Sequence, residues 1–143
     1  KSNTSILRTN FFGIFKDKSS LCNWAIDAVK RNKIIKCYDN ISFSPLHIST
    51  LIEFIDFFVK NKTTGIYNIG SLMGFSKYKF ILEIIKILGL KTDFIIKSSY
   101  THNENNIVRP KNMIMNLQKI SQIYNKDLPT LQNEILKLKN YEI

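Results

Sequence analysis

Arg109 is one of three arginines in a chain that draws most of its positive charge from lysine. A guanidinium can grip two oxygens of a diphosphate at once, which an ammonium cannot. Pro110, directly after it, restricts the Arg109 backbone to an extended form and so aims the side chain. The competing use is a structural ion pair, with Asp39 or Glu104 as partner. Asn10 carries a carboxamide at the end of an apolar run, where it can hydrogen-bond a ligand or satisfy nearby backbone. Arg8, close by, reads as structural. Trp24 sits among residues at helical spacing, where such a ring is ordinarily core. His47 has no neighbouring histidine or cysteine, and His102 is far away in sequence, so the spacing is not that of a metal site. Glu53 and Asp56 lie three apart and form a solvated helix face rather than a catalytic carboxylate pair.

The elements that must position these groups follow from periodicity and punctuation. Residues 5–12 predict a strand ending at Gly13, with the apolar run of a strand buried on both faces. Ser19 or Ser20 offers an N-cap for a helix over about 20–32, where Trp24, Ala25, Ala28 and Val29 recur at helical spacing. Residues 34–38 form a second strand, closed by the turn pair Asp39-Asn40. Residues 42–48 are extended, because Pro45 disfavours helix at Ser44. Thr50 and Glu53 have the spacing of a capping box. An apolar stripe of Leu51, Ile52, Ile55, Phe58 and Val59 then runs to about residue 60. Residues 65–70 are a strand between glycines. Ser76 caps a helix that buries Phe80, Ile81, Ile84, Ile85 and Leu88 and stops at Gly89. A short strand over 94–96, a polar loop over 98–108, an extended piece over 111–115 and a helix over 117–124 follow. The last helix opens at Leu128-Pro129, with Pro129 near its first position and Leu131, Ile135 and Leu138 inward.

Strands alternate with helices, so the class is α/β, in one domain over 1–143. The strands are few and short. Those near 6–12 and 66–70 read as edge members of a larger sheet, which points to a partner half.

The bulk properties narrow the class of protein. At 143 residues and 44% hydrophobic content the chain can bury an ordinary core. No apolar run reaches the ~18 residues of a membrane helix; Asp56 and Glu83 interrupt the longest candidates. A soluble, cytoplasmic protein is expected, with no membrane partner. The chain starts at Lys1 without a secretory apolar region. Cys22 and Cys37 lack C-x-x-C spacing and are expected to be reduced, buried thiols. The sequons at Asn3, Asn40 and Asn61 read as chance matches. The net charge of +10 invites a nucleic-acid hypothesis. However, the lysines are scattered, and Lys, Asn and Ile are all over-used, as A/T-rich codon bias produces. No nucleic-acid partner is expected; a diffuse positive field still favours anionic ligands such as nucleotide diphosphates.

Four stretches in order resemble the extended short-chain dehydrogenase/reductase family, in the group around dTDP-4-dehydrorhamnose reductase. They are Ile6 to Gly13; Tyr38-Asp39-Asn40-Ile41-Ser42-Phe43-Ser44-Pro45 running into the following helix; Gly65-Ile66-Tyr67-Asn68-Ile69-Gly70 with Ser76 and Tyr78 at the next helix start; and Arg109-Pro110-Lys111-Asn112 with Leu117, Lys119 and Leu128-Pro129. Together they cover nearly the whole chain. The family's opening strand with its G-x-x-G-x-x-G turn, which receives a cofactor pyrophosphate at a helix N-terminus, is absent. The five glycines, at 13, 65, 70, 74 and 89, are not so spaced. The family's Tyr-x-x-x-Lys pair is absent too, since none of the six tyrosines has lysine four residues on.

The resemblance implies the C-terminal part of a Rossmann-type NAD(P)-binding fold with a small α/β substrate-binding lobe, its N-terminal Rossmann half lying outside this sequence. That half would hold NAD or NADP and the catalytic dyad, so no catalytic residue is assigned here. By the same resemblance Thr9, Asn10 and Phe11 meet the cofactor and Asn10 the substrate, with Phe12 shaping the wall. Trp24 lies on a helix that leans over the substrate, Phe43, Ser44 and Pro45 pass near the nucleotide, and Arg109 binds its diphosphate. Phe43 to Pro45 read equally well as a buried turn. The implied whole enzyme reduces or epimerises a nucleotide-linked keto-sugar, and the resemblance leaves room for a homodimer of the full-length protein. Two rivals stand beside it. A non-catalytic nucleotide-sugar-binding or regulatory module of the same fold also lacks the dyad. A basic nucleic-acid binder would show a salt-resistant, sequence-specific complex.

Overall fold

The chain of the computed structural model, described over residues 4–17, 20–101, 108 and 110–141, alternates short strands and helices. It runs β1 (Ser5–Arg8), β2 (Phe11–Phe12), α1 (Leu21–Lys30), β3 (Ile35–Tyr38), β4 (Ser42–Phe43), β5 (Leu46–His47), α2 (Ile48–Lys60), β6 (Gly65–Asn68), β7 (Phe75–Ser76), α3 (Lys77–Ile87), β8 (Ile95–Ser98), β9 (Asn112–Met113), α4 (Gln118–Ser121) and α5 (Leu131–Leu136). The last helix tightens into a 3-10 turn, Lys137–Asn140. The ladders are parallel for β1–β6, β2–β5 and β3–β8; β4 sits between antiparallel β7 and parallel β9. The α/β reading therefore holds.

Residues 5–12 form two strands rather than one. Thr9 and Asn10 break the run because its two ends pair differently: Ser5 to Arg8 with β6, Phe11 and Phe12 with β5. Two apolar clusters flank this seam. Phe12, Ile26, Val29, Ile35, Phe43, Phe80, Ile84 and Ile135 belong to one, around α1, α3 and α5. Leu46, Phe54, Phe58, Tyr67, Ile69 and Ile120 belong to the other, around α2 and α4. The inward positions expected on the last helix, Leu131, Ile135 and Leu138, are fully buried.

Helix ends follow local chemistry at α1 and α3. Ser20 accepts the Asn23 N–H, and Ser76 accepts the Lys79 N–H at 3.1 Å. Gly89 takes φ +68 just past α3, as a left-handed stop requires. Three expectations are corrected. Thr50 and Glu53 form no capping box. Helix α2 begins three residues earlier, at Ile48, and His47 caps it by accepting the Ser49 N–H on Nδ1 at 3.3 Å. The buried side of α2 is Thr50, Leu51, Phe54 and Phe58, while Ile52, Ile55 and Val59 are exposed. Pro129 precedes the α5 cap Thr130 rather than standing at the first helical position.

The start of α2 is tied to the C-terminal helix by a buried carboxylate. Glu134 is fully buried. Its Oε2 accepts the His47 N–H at 2.7 Å and its Oε1 the Thr50 hydroxyl at 2.9 Å. Lys137 Nζ lies 2.9 Å from Oε1 and also meets the Thr50 hydroxyl. A carboxylate beside a helix N-terminus is favoured by the helix dipole.

The His47 ring is buried against Phe12 and near Tyr141. Burial lowers its pKa below 6.5, Lys137 adds to the shift and Glu134 opposes it. The folded state thus prefers the neutral ring. Its contribution is complete above pH 6.5 and drains away as pH falls toward the lowered folded value. Urea midpoints measured between about pH 7.5 and about pH 5 should decline, and His47→Asn, which keeps a cap acceptor but cannot titrate, should flatten the decline. An equal decline in both proteins would remove His47 as its source.

Candidate functional site

A cleft of about 690 Å³ opens between the start of α1, the outward side of β3, the start of α3 and the segment around residues 108–113. Alternation along β3 builds one wall: Ile35 and Cys37 are buried while Lys36 and Tyr38 point outward. Leu21 and Trp24, three apart on α1, make a second wall, and Lys77 and Ile81, one turn apart on α3, a third. Trp24 is 46% exposed and Tyr38 39%, so both rings can still be covered by a ligand. Among the described residues the lining holds two ammonium groups and no carboxylate. Such a surface can stack an aromatic ring and neutralise phosphate charge beside it.

The floor is rigid. Lys77 Nζ lies 3.5 Å from the centroid of Phe43, a cation over a ring face. Phe43 is buried and meets Phe80 edge-on at 4.9 Å. At the rim, Lys97 Nζ stands 2.7 Å from Asp39, whose other oxygen accepts the Ser76 hydroxyl at 3.1 Å. The Lys97 hydrogen bond holds the Asp39 carboxyl below the usual carboxylate range. Asn40 clamps the backbone of Tyr100, accepting its N–H at 2.8 Å and donating to its carbonyl at 3.0 Å. That amide stands in for a strand neighbour and fixes where the chain leaves β8. Gly74 closes in beneath: a Cβ there would lie 2.6 Å from the Phe43 carbonyl and 2.7 Å from Ile114 Cγ1.

The residues singled out by sequence fall in three places. Trp24 lines the cleft, while Phe43 and Pro45 are buried and are not among its lining residues. Asn10 donates to the Met113 carbonyl at 3.3 Å, and Met113 lines the cleft, so Asn10 braces the far wall. Thr9 is half-buried, its hydroxyl donating to the Asn10 carbonyl, and Phe11 is exposed on β2. Arg109 lies outside the described residues; its neighbours Val108 and Pro110 line the cleft. Asp39, a candidate partner for Arg109, is engaged by Lys97, and Glu104 lies outside the described residues. Sequence reasoning missed Lys36, Tyr38 and Lys77. Strand alternation was the available signal for the first two; nothing local marks Lys77.

Cys22 and Cys37 are free and buried. Burial pushes their thiols up to about 12 and about 11, so neither offers a thiolate near neutral pH. Among the described residues no group of three or more His, Cys, Asp or Glu is placed to hold a metal, and no helix is long and apolar enough to cross a membrane.

No protein-family model and no curated protein matches the sequence. Solved structures show the fold: it is similar to part of the Rossmann-type fold of short-chain dehydrogenases and reductases, over about 46% of their length. The dTDP-4-dehydrorhamnose reductase of Bacillus anthracis, solved with NADP, matches with a TM-score of 0.83 at 17% identity, over 93% of this chain and 47% of that one. The enzyme of that name from Yersinia enterocolitica matches at 0.79 and 20% identity, again over 93% and 47%. The UDP-N-acetylglucosamine 4-epimerase of Methanobrevibacter ruminantium, solved with UDP-N-acetylmuramic acid, matches at 0.67 and 15%, over 96% and 46%. The chain thus spans about half the length of the structures it resembles.

Proposed function

We propose that this chain is the sugar-nucleotide-binding part of an NAD(P)-dependent reductase or epimerase acting on a nucleotide-linked keto-sugar. The observation that supports it best is the cleft itself, which puts Trp24 and Tyr38 beside the ammonium groups of Lys36 and Lys77 with no acidic residue among the described lining residues. An aromatic base with a diphosphate fits that combination. In this reading the rings hold the base, Lys36 and Lys77 neutralise the phosphates, and Arg109 adds a bidentate grip from between two lining residues. Asn10, fixed to the Met113 carbonyl, keeps the wall that faces the sugar in place, and Thr9 and Phe11 lie toward the cofactor.

This chain's residues do not fit a nicotinamide cofactor on their own. It has no glycine-rich phosphate turn, and buried Gly70 and half-buried Gly74 serve close packing against the carbonyls of Ser44 and Phe43. The cofactor, which supplies hydride to the keto-sugar, therefore belongs mainly to another lobe. This chain binds and orients.

The chain has a single tryptophan, so its emission reports on the cleft. Titration with dTDP or UDP should give a saturable change in Trp24 fluorescence. Lys36→Ala or Lys77→Ala should weaken binding by about ten-fold, and Arg109→Ala by ~1–3 kcal/mol, the range for losing a charged hydrogen-bond donor. The chain alone should not oxidise NADPH or NADH. Absence of both fluorescence change and calorimetric heat would defeat the binding assignment; turnover by the chain alone would defeat the assignment of the hydride chemistry to another lobe.

A further inference from the structure

A line of rings runs from the start of α2 to the cleft floor. The His47 ring meets Phe12 edge-on, with centroids 5.6 Å apart. Phe12 meets Phe80 at 5.0 Å and Phe80 meets Phe43 at 4.9 Å, each again edge-on. Lys77 closes the line, its Nζ 3.5 Å from the Phe43 centroid. All four rings are buried. In a close-packed interior a ring that moves opens a void or pushes its neighbour, so a displacement at one end is felt along the line.

His47 is the member of the line that can change state. Its Nδ1 accepts the Ser49 N–H, which leaves the neutral ring's proton on Nε2. Nε2 is buried and has no partner among the described residues. A second proton would turn Nδ1 into a donor and end its capping of α2. It would also charge a ring whose Nε2 has no acceptor. Of the charged groups that face the ring, Glu134 on α5 attracts that charge, and Lys137 in the following turn repels it. The Glu134 carboxylate is already shared by the His47 N–H, the Thr50 hydroxyl and Lys137. Helix α2 offers the Ser49 hydroxyl at 2.8 Å, and the Tyr141 ring stands 6.0 Å away; β2 offers only Phe12. A charged ring is thus better placed in water than in this site. We infer that His47 is a proton switch for the cleft: when neutral it packs on Phe12 and holds the line of rings that seats Lys77, and when protonated it turns off Phe12 and loosens that seat. Ligand affinity then falls as pH drops, and by reciprocity a bound ligand holds His47 neutral. The inference rests on the nucleotide reading for the identity of the ligand; the link from His47 to the cleft does not.

The test uses the chain carrying His102→Asn, which leaves His47 as its single histidine. Between about pH 7.5 and about pH 5, the methyl NMR signal of Ile81, which lines the cleft, should move with the midpoint of the His47 ring. Phe12→Leu should leave His47 titrating and detach Ile81 from it. UDP-glucose is the ligand probe, because both its phosphates are esterified and lack the ionisation of a terminal phosphate at about pH 6. Its affinity should fall about five-fold over that range, and saturating UDP-glucose should lower the His47 midpoint. His47→Asn should bind it equally at both ends of the range. An Ile81 signal indifferent to His47, an affinity that pH leaves unchanged, or an equal fall in His47→Asn would each overturn the switch. If UDP-glucose binds at no pH while Ile81 still follows His47, the nucleotide reading falls and the switch stands.

Discussion

Glu134→Ala should destabilise the protein by about 3–5 kcal/mol, the range for removing one partner of a buried ion pair. Glu134 is completely buried and serves three donors from two other places in the chain: the His47 N–H, the Thr50 hydroxyl and the Lys137 ammonium. Removing the carboxylate leaves the His47 N–H and Thr50 without that acceptor and deprives Lys137 of its counter-charge. Lys137→Ala should cost less, since its side chain is 35% exposed and water can take over part of its role. Against a typical total of about 5–15 kcal/mol, loss of Glu134 takes away a large share. Urea unfolding checks this; a loss below about 1 kcal/mol would mean that the carboxylate is replaceable by solvent.

Phe80→Ala should cost a similar amount, about 3–5 kcal/mol, as large-to-small changes of a buried aromatic do. Phe80 is fully buried on α3 and meets Phe12 edge-on at 5.0 Å and Phe43 at 4.9 Å. It therefore joins the β2 seam to the floor of the cleft. Two effects should appear together: a lower urea midpoint, and weaker nucleotide binding by the molecules that remain folded, because Phe43 supports Lys77. Phe80→Leu, which fills more of the volume, should recover part of both. A stability loss with nucleotide affinity unchanged would uncouple the Phe43 floor from the site.

What was legible in the sequence was what neighbours along the chain decide. The ends of α3 are set by Ser76 and Gly89, a hydroxyl cap and a left-handed stop, and both can be read without the fold. The start of α2 could not be read that way. Thr50 looks like a cap, yet its hydroxyl is engaged by a carboxylate 84 residues away, and an imidazole does the capping. The break between β1 and β2 is equally non-local, because it depends on which strand each half pairs with. At the cleft, Trp24 stood out because there is only one. Lys77 did not, since its place over the Phe43 ring arises only once α3 packs beside β4.

The two longer parallel ladders interleave along the chain. Ser5 pairs with Gly65 and Ile35 with Ile95, so a single backbone cut anywhere between β3 and β6 would part both ladders at once. Neither piece would keep a complete ladder of this kind. Closing either ladder brings together strands 60 residues apart in sequence, which favours slow, all-or-none assembly over stepwise growth from one end. For the same reason a proteolytic nick in the turn after α2 should leave two pieces that hold together in native buffer and separate only on denaturation.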